Sequence, residues 1–249
     1  MQHLLRKQII TGALLLCISF ASMAQRGDVN QPFYDEDLFY LGFNVGINNN
    51  YYNFNRNVEF ASPAAGAVRS INPKNNISLT MGLAGTLRLS THTLLRLNPT
   101  VVIAGSKNLF TFTRIEYPNS NPTMNAATAL INIPLALKIV SDRYNAFHYT
   151  DIMRHYVFVG GKIDYDLVGP NGSIQNSTSG SEPIYKNIFN SLDYGYEMGL
   201  GVSFYLPYAT ISPEVKFSYG VRNLNKGAPL LSSIRDITSN FVYFTIHVE

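Results

Sequence analysis

Asp164 and Asp166 stand two residues apart, with Lys162 two residues before them. On an extended strand that spacing puts all three side chains on one face. Two carboxylates so placed could share a proton for general acid–base work, or hold a cation. With a lysine beside them they read first as ion-pair partners, because structural networks perturb carboxylates without catalysing anything. His92, His148, His155 and His247 supply imidazoles for base or ligand chemistry. Their spacing matches no local ligand motif. Gly160-Gly161-Lys162 lacks the spacing of a phosphate-binding loop. Cys17 is the only cysteine, so thiolate chemistry in the rest of the chain is excluded.

The first residues read as an export signal. Arg6 and Lys7 precede a short apolar run from Ile9 to Phe20, and Ser22-Met23-Ala24 offers small residues for cleavage before Gln25. The run is shorter than the roughly 20 apolar residues of a membrane-spanning helix. Cys17 lies inside it and not at its end, so lipidation at that cysteine is not expected. The organisation predicted is a signal peptide over 1–24, an N-terminal periplasmic segment over 25–37 and a single domain over 38–249.

Composition narrows what that domain is. Formal net charge is +3 with no basic run, which leaves no footprint for nucleic acid. Hydrophobic residues make up 46% and charged residues only 14%, well under the roughly 25% charged of soluble domains. After the signal no segment is long and apolar enough for a membrane helix. That leaves a soluble all-β core or a lipid-facing barrel.

Period-two alternation decides between them. Ile77, Leu79, Met81, Leu83, Leu87 and Leu89 alternate with Ser78, Thr80, Gly82, Ala84, Thr86, Arg88 and Ser90. A helix would drag Thr80 and Thr86 into the leucine stripe, whereas a strand separates the sets cleanly. The pattern recurs from Leu41, Leu95, Ile131, Val157, Tyr194, Ile211 and Val242. These segments predict about eight strands, each near the 9 to 11 residues needed to cross a bilayer at a tilt. The fold class expected is all-β, a small transmembrane antiparallel β-barrel of the outer membrane. Long polar stretches, Asn53–Asn76, Pro118–Ala126, Pro170–Ile188 and Leu224–Ser239, alternate with the tight turns Thr91-His92 and Pro207-Tyr208. That asymmetry predicts outer loops, periplasmic turns and periplasmic termini in a Gram-negative outer membrane. Phe39, Tyr40, Tyr144, Phe147, Tyr156, Tyr205 and Tyr208 are expected at the periplasmic rim as an aromatic girdle.

With apolar residues facing lipid, the alternate set fills the lumen: Arg88, Arg96, Lys138, Lys162, Asp164, Asp166, Glu197, Glu214 and Lys216. A barrel of about eight strands is only wide enough for side chains to fill, so these charges are expected to pair as a structural plug. His92, His148, His155 and His247 all fall at the periplasmic end in this topology, so an outer-rim hydrolytic centre lacks its base. No enzyme activity, metal, cofactor or small-molecule substrate is expected.

Several stretches resemble the PorT family of type IX secretion. Tyr40-Leu-Gly-Phe-Asn-Val-Gly-Ile47 is similar to its first strand, and Ile133-Pro134-Leu135 and Tyr156-Val-Phe-Val-Gly160 also resemble it. More specific are Tyr196-Glu197-Met-Gly199-Leu-Gly201-Val-Ser-Phe204-Tyr205-Leu206-Pro207-Tyr208 and Ile211-Ser212-Pro213-Glu214-Val-Lys216-Phe217-Ser218-Tyr-Gly220. The resemblance implies an integral barrel needed to export proteins with a C-terminal sorting domain. Its partners would be membrane lipid and other secretion proteins, and it would act by contact and not as the conduit. The alternative is a generic small outer-membrane barrel with a structural or surface-binding role.

Overall fold

The structure is a computed structural model that describes residues 31, 34–57, 68–73, 76–114, 123–144, 152–167, 173–175, 190–226 and 234–249. The predicted signal over 1–24, Phe147 and His148 lie outside the described residues, as do parts of the long polar stretches. Every named element is a strand: β1 Phe39–Arg56, β2 Val68–Pro73, β3 Asn76–Arg88, β4 Thr93–Leu97, β5 Thr100–Arg114, β6 Thr123–Val140, β7 Met153–Asp166, β8 Ser173–Gln175, β9 Leu192–Tyr205, β10 Thr210–Gly220 and β11 Ile234–Val248.

Hydrogen bonding runs β1-β11-β10-β9-β7-β6-β4-β3 and returns through a β1–β3 pairing, closing the sheet. β5 sits above β4 in the ring, paired with both β3 and β6. β4 and β5 are one wall strand broken at Asn98-Pro99, where proline has no N–H for the ladder. The break stays sealed because Pro99 O accepts from Leu83 N at 3.0 Å. All pairings are antiparallel, and Phe43 opposite Val248 in β1–β11 brings the start of β1 and the end of β11 to one rim. We call this the terminal rim and the opposite one the loop rim.

Alternation is translated directly into two faces. Leu41, Leu79, Leu83, Leu135, Val159, Leu200 and Phe244 are exposed on the outer wall, while Asn44, Thr80, Asn132, Lys162 and Ser212 are buried inside. Water would make such a wall untenable, since contiguous apolar patches on soluble monomers rarely exceed a few hundred Å². Lipid resolves it.

Two expectations need correction. Tyr156 and Tyr205, assigned to the rim girdle by residue type, are 2% and 3% exposed inside the barrel. Parity puts them there, since they share a face with Phe158 and Ser203 and not with Val157 and Phe204. Phe39, Tyr144 and Tyr208 do stand exposed at the terminal rim. The strands also run further than expected at the loop rim. β1 continues to Arg56, β2 lies within the stretch read as a loop, β5 reaches Arg114, and β6 starts at Thr123. In β1 the exposed apolar alternation ends at Ile47, yet the backbone ladder continues to Arg56. The register shifts at Asn55/Arg56, Val68/Ser70, Ala104/Lys107 and Asn108/Phe110 all fall in this extension.

Candidate functional site

The lumen gathers charged side chains away from water, and each gets its position from strand parity. At its centre Glu214 of β10 accepts from Arg96 of β4 on the far wall and from the Tyr156 hydroxyl at 3.0 Å. His247 Nε2 lies 3.5 Å from the other Glu214 oxygen. Lys216 pairs with Glu197 at 3.1 Å and reaches Asn132 Oδ1 at 3.4 Å. Towards the loop rim Lys162 holds Asp164 at 2.5 Å, and Asn132 Nδ2 donates to the other Asp164 oxygen at 2.6 Å. Ser239 donates to Asp193 at 2.5 Å.

Aromatic rings complete the packing. The Arg96 guanidinium lies 5.0 Å from the Phe158 ring centre, Lys138 Nζ is 3.8 Å from that of Tyr156, Lys162 is 5.0 Å from Phe241, and Lys216 is 4.4 Å from Tyr243. Each of these four cations thus meets a ring face, an attraction of about 2 kcal/mol where water is excluded. The rings fit because glycines oppose them. A Cβ on Gly199 would meet Phe158 Cζ at 2.5 Å, and one on Gly201 would strike the Tyr156 hydroxyl.

The nine residues expected in the lumen therefore separate. Arg96, Lys138, Lys162, Asp164, Glu197, Glu214 and Lys216 are buried within it. Asp166 is half-buried at the loop end of β7. Arg88 lies at the terminal rim, where it faces Asp35 at 3.5 Å. Asp164 and Asp166 are not brought together as a catalytic pair; Asp164 is taken by Lys162 and Asn132. Of the histidines, His92 is exposed beside Asp142 at 2.8 Å, His155 is exposed on the outer wall, and His247 is fully buried against Glu214. His247 points inward because it alternates with the outward Phe244 and Ile246. Among the described residues no group of three or more His, Cys, Asp or Glu could hold a metal.

Reasoning by charge alone missed Arg154, Asp193, Tyr156, Phe158, Phe241 and Tyr243. Parity would have found them, because each lies on the polar phase of its strand. A third set was also missed: Gln31 and Tyr34 to Asp37 lie across the terminal rim. Tyr34 donates to Glu249 Oε2 at 2.9 Å, and its ring packs on Tyr40 and Tyr205 at 4.6 and 5.6 Å. Burial, reinforced by the Glu249 carboxylate, pushes the Tyr34 phenol well above its ordinary range, so it remains a donor.

Closed ring, apolar wall and filled bore are the anatomy of a membrane barrel, and comparison agrees. Residues 23–226 match the family of outer membrane protein β-barrel domains. The chain belongs to this family. It is an outer-membrane β-barrel of a Gram-negative bacterium, in contact with lipid. Solved structures similar to it include Neisserial surface protein A, at 10% identity and a TM-score of 0.42, covering 83% of this chain and 96% of that one. The attachment invasion locus protein Ail of Yersinia pestis gives 7% and 0.40, with 84% and 96% covered. OprG of Pseudomonas aeruginosa gives 12% and 0.40, with 84% and 92% covered. Comparison with curated proteins gave no match.

Two outcomes follow for this outer-membrane barrel. Glu214→Ala strands Arg96 in a buried site, so it should destabilise the folded state by about 3–5 kcal/mol in urea unfolding from micelles. Replacing both partners, Glu214→Leu with Arg96→Met, should recover most of that loss; equal loss in the double variant would contradict the pairing. In planar bilayers the wild-type protein should show no large, stable conductance, because the central side chains are 0–5% exposed. Steady open pores would mean the lumen is not closed.

Proposed function

We propose that this outer-membrane barrel is a closed, non-enzymatic scaffold whose role is structural or surface-binding and is carried by its loop rim. The observation behind this reading is the strand extension there. β1 carries paired backbone past Ile47 to Arg56, β5 runs past Ile103 to Arg114, and β2 and β8 pair with β5 and β6 there. Paired sheet standing clear of lipid is a platform for recognition. The filled lumen argues against a solute path, and the terminal rim would face the periplasm.

Cysteine substitution tests the arrangement, as no cysteine follows Cys17. In intact cells an impermeant maleimide should label Asn55→Cys and not Tyr208→Cys. Cells carrying the protein should also be retained better than a deletion strain on a panel of immobilised glycans and proteins. Labelling of Tyr208→Cys alone would invert the orientation and remove the platform from the cell surface. Equal retention of the two strains would leave only a structural role.

A second reading, an accessory part of type IX secretion, is favoured by the resemblance of Tyr196–Tyr208 and Ile211–Gly220 to the PorT family. These residues form β9, its turn and β10, which supply Glu197, Glu214 and Lys216 to the lumen. The similarity therefore falls on residues that build the barrel interior, and it speaks for the fold more strongly than for a partner. Gene deletion with measurement of sorting-domain cargo separates the readings. Cargo trapped in the periplasm and released on complementation would establish secretion; normal export would dismiss it.

A further inference from the structure

The terminal rim carries a charge arrangement that the lumen does not explain. Asp35, on the segment that precedes β1, is ringed by three guanidinium groups from three parts of the wall. Arg154 of β7 donates to its Oδ1 at 2.9 Å, Arg88 at the end of β3 approaches the same oxygen at 3.5 Å, and Arg143 from the β6–β7 connection meets Oδ2 at 2.6 Å. The arginine side chains are 10%, 9% and 6% exposed for Arg88, Arg143 and Arg154, while Asp35 itself is 27% exposed. Arg88 also has a buried Nη1 with no acceptor.

Guanidinium groups stay protonated at any working pH. All three guanidinium groups thus converge on the Asp35 carboxylate in a largely desolvated place, where like charges repel strongly. Asp35 offers two oxygens and one charge. A phosphate group offers three oxygens and nearly two charges, and the planar forks of arginine fit it bidentately.

Asp35 is not fixed there by a strand. Among the described residues its segment is held by side-chain bonds and a few backbone ones. Gln31 Nε2 donates to Leu206 O at 3.0 Å, Thr210 Oγ1 donates to Gln31 Oε1 at 3.0 Å, and Arg143 donates to Gln31 O at 3.2 Å. Arg88 donates to Asp37 O and Tyr34 O at 3.1 and 3.2 Å. Gln31 takes a left-handed backbone, φ 51°, which costs a non-glycine residue energy that these contacts must offset.

We propose that Arg88, Arg143 and Arg154 form an oxyanion site for a phosphate group, which Asp35 fills as an internal stand-in. The site opens when the segment over the terminal rim lifts. It depends on neither functional reading above. Phosphate could arrive free in solution or on a lipid headgroup, since the rim lies at the membrane surface beside exposed Phe39 and Tyr208.

The test uses the full chain in sugar-headgroup micelles, free of phosphate, with heat-modified gel mobility confirming a folded barrel. In calorimetric titration with inorganic phosphate, Asp35→Ala should bind one equivalent saturably, at least tenfold tighter than wild type. Asp35→Ala with Arg143→Ala or Arg154→Ala should lose that binding. Asp35→Asn, which keeps the side-chain volume, serves if the alanine variant does not fold. Micelles doped with phosphatidic acid identify the source: competition with inorganic phosphate marks a headgroup site, and its absence a soluble-phosphate site. No saturable binding in either Asp35 variant would overturn the proposal. So would binding that survives loss of the arginines, or failure of both variants to fold, which would make Asp35 a structural ion partner only.

Discussion

Everything in this molecule depends on pairing β1 with β11. A hydrocarbon environment offers no partner to a backbone N–H or C=O, and each one left open costs several kcal/mol. A sheet can meet that condition only by closing. Here the seam runs from Phe43 opposite Val248 to Arg56 opposite Ile234, joining elements almost two hundred residues apart in sequence. The break at Asn98-Pro99 is tolerated because β3 and β6 bond to both halves of the interrupted strand. Closure also dictates the bore. With so few strands its inward side chains must fill it, and a filled bore holding Arg96, Lys138, Lys162 and Lys216 must neutralise them.

The lumen solves that problem with two kinds of partner. Carboxylates alone would demand strict charge matching in low dielectric, and the desolvation of each ion would oppose the pairing gained. Rings relax the demand. Lys138 shows this most clearly, because its ammonium group lies over Tyr156 while Tyr156 donates its hydroxyl to Glu214. One phenol thus links a cation and an anion that do not touch. Large rings need space, and the strand opposite supplies it by carrying Gly199 and Gly201 on the same parity. Charge, ring and glycine are three aspects of one packing solution distributed over β4, β6, β7, β9, β10 and β11.

Alternation made the wall legible, because lipid outside and side chains inside impose opposite requirements on neighbouring residues. Ile77 to Leu89 could be assigned to faces residue by residue. What misled was residue type used against parity. Tyr156 and Tyr205 look like interface aromatics in composition, yet their register with Phe158 and Ser203 places them inside. The strand extensions were hidden for a different reason. Above the apolar band neither face needs hydrophobic residues, so Asn53, Asn55 and Arg56 read as loop while their backbones stay paired with Thr238, Asp236 and Ile234. Contacts at the terminal rim were hidden most completely. Asp35 meets Arg143 and Arg154 through closure of the ring, and no local spacing announces an encounter across more than a hundred residues.

The same physics separates what builds this barrel from what makes it particular. An inward residue in the middle of the wall touches several strands at once, so its identity is tied to theirs: Glu214 answers Arg96, Tyr156 and His247 together. A partner cannot reach such residues without opening the sheet. The outer wall is equally constrained, because any apolar side chain satisfies lipid and a charge does not. Freedom to recognise something specific therefore lies at the two rims, where backbone remains paired but neither lipid nor the lumen dictates the side chains. The loop rim carries that freedom on extended strands, the terminal rim on three arginines gathered around one acid. In a barrel built this way the middle holds the two rims in register, and any side-chain chemistry that is free to vary is carried by those rims.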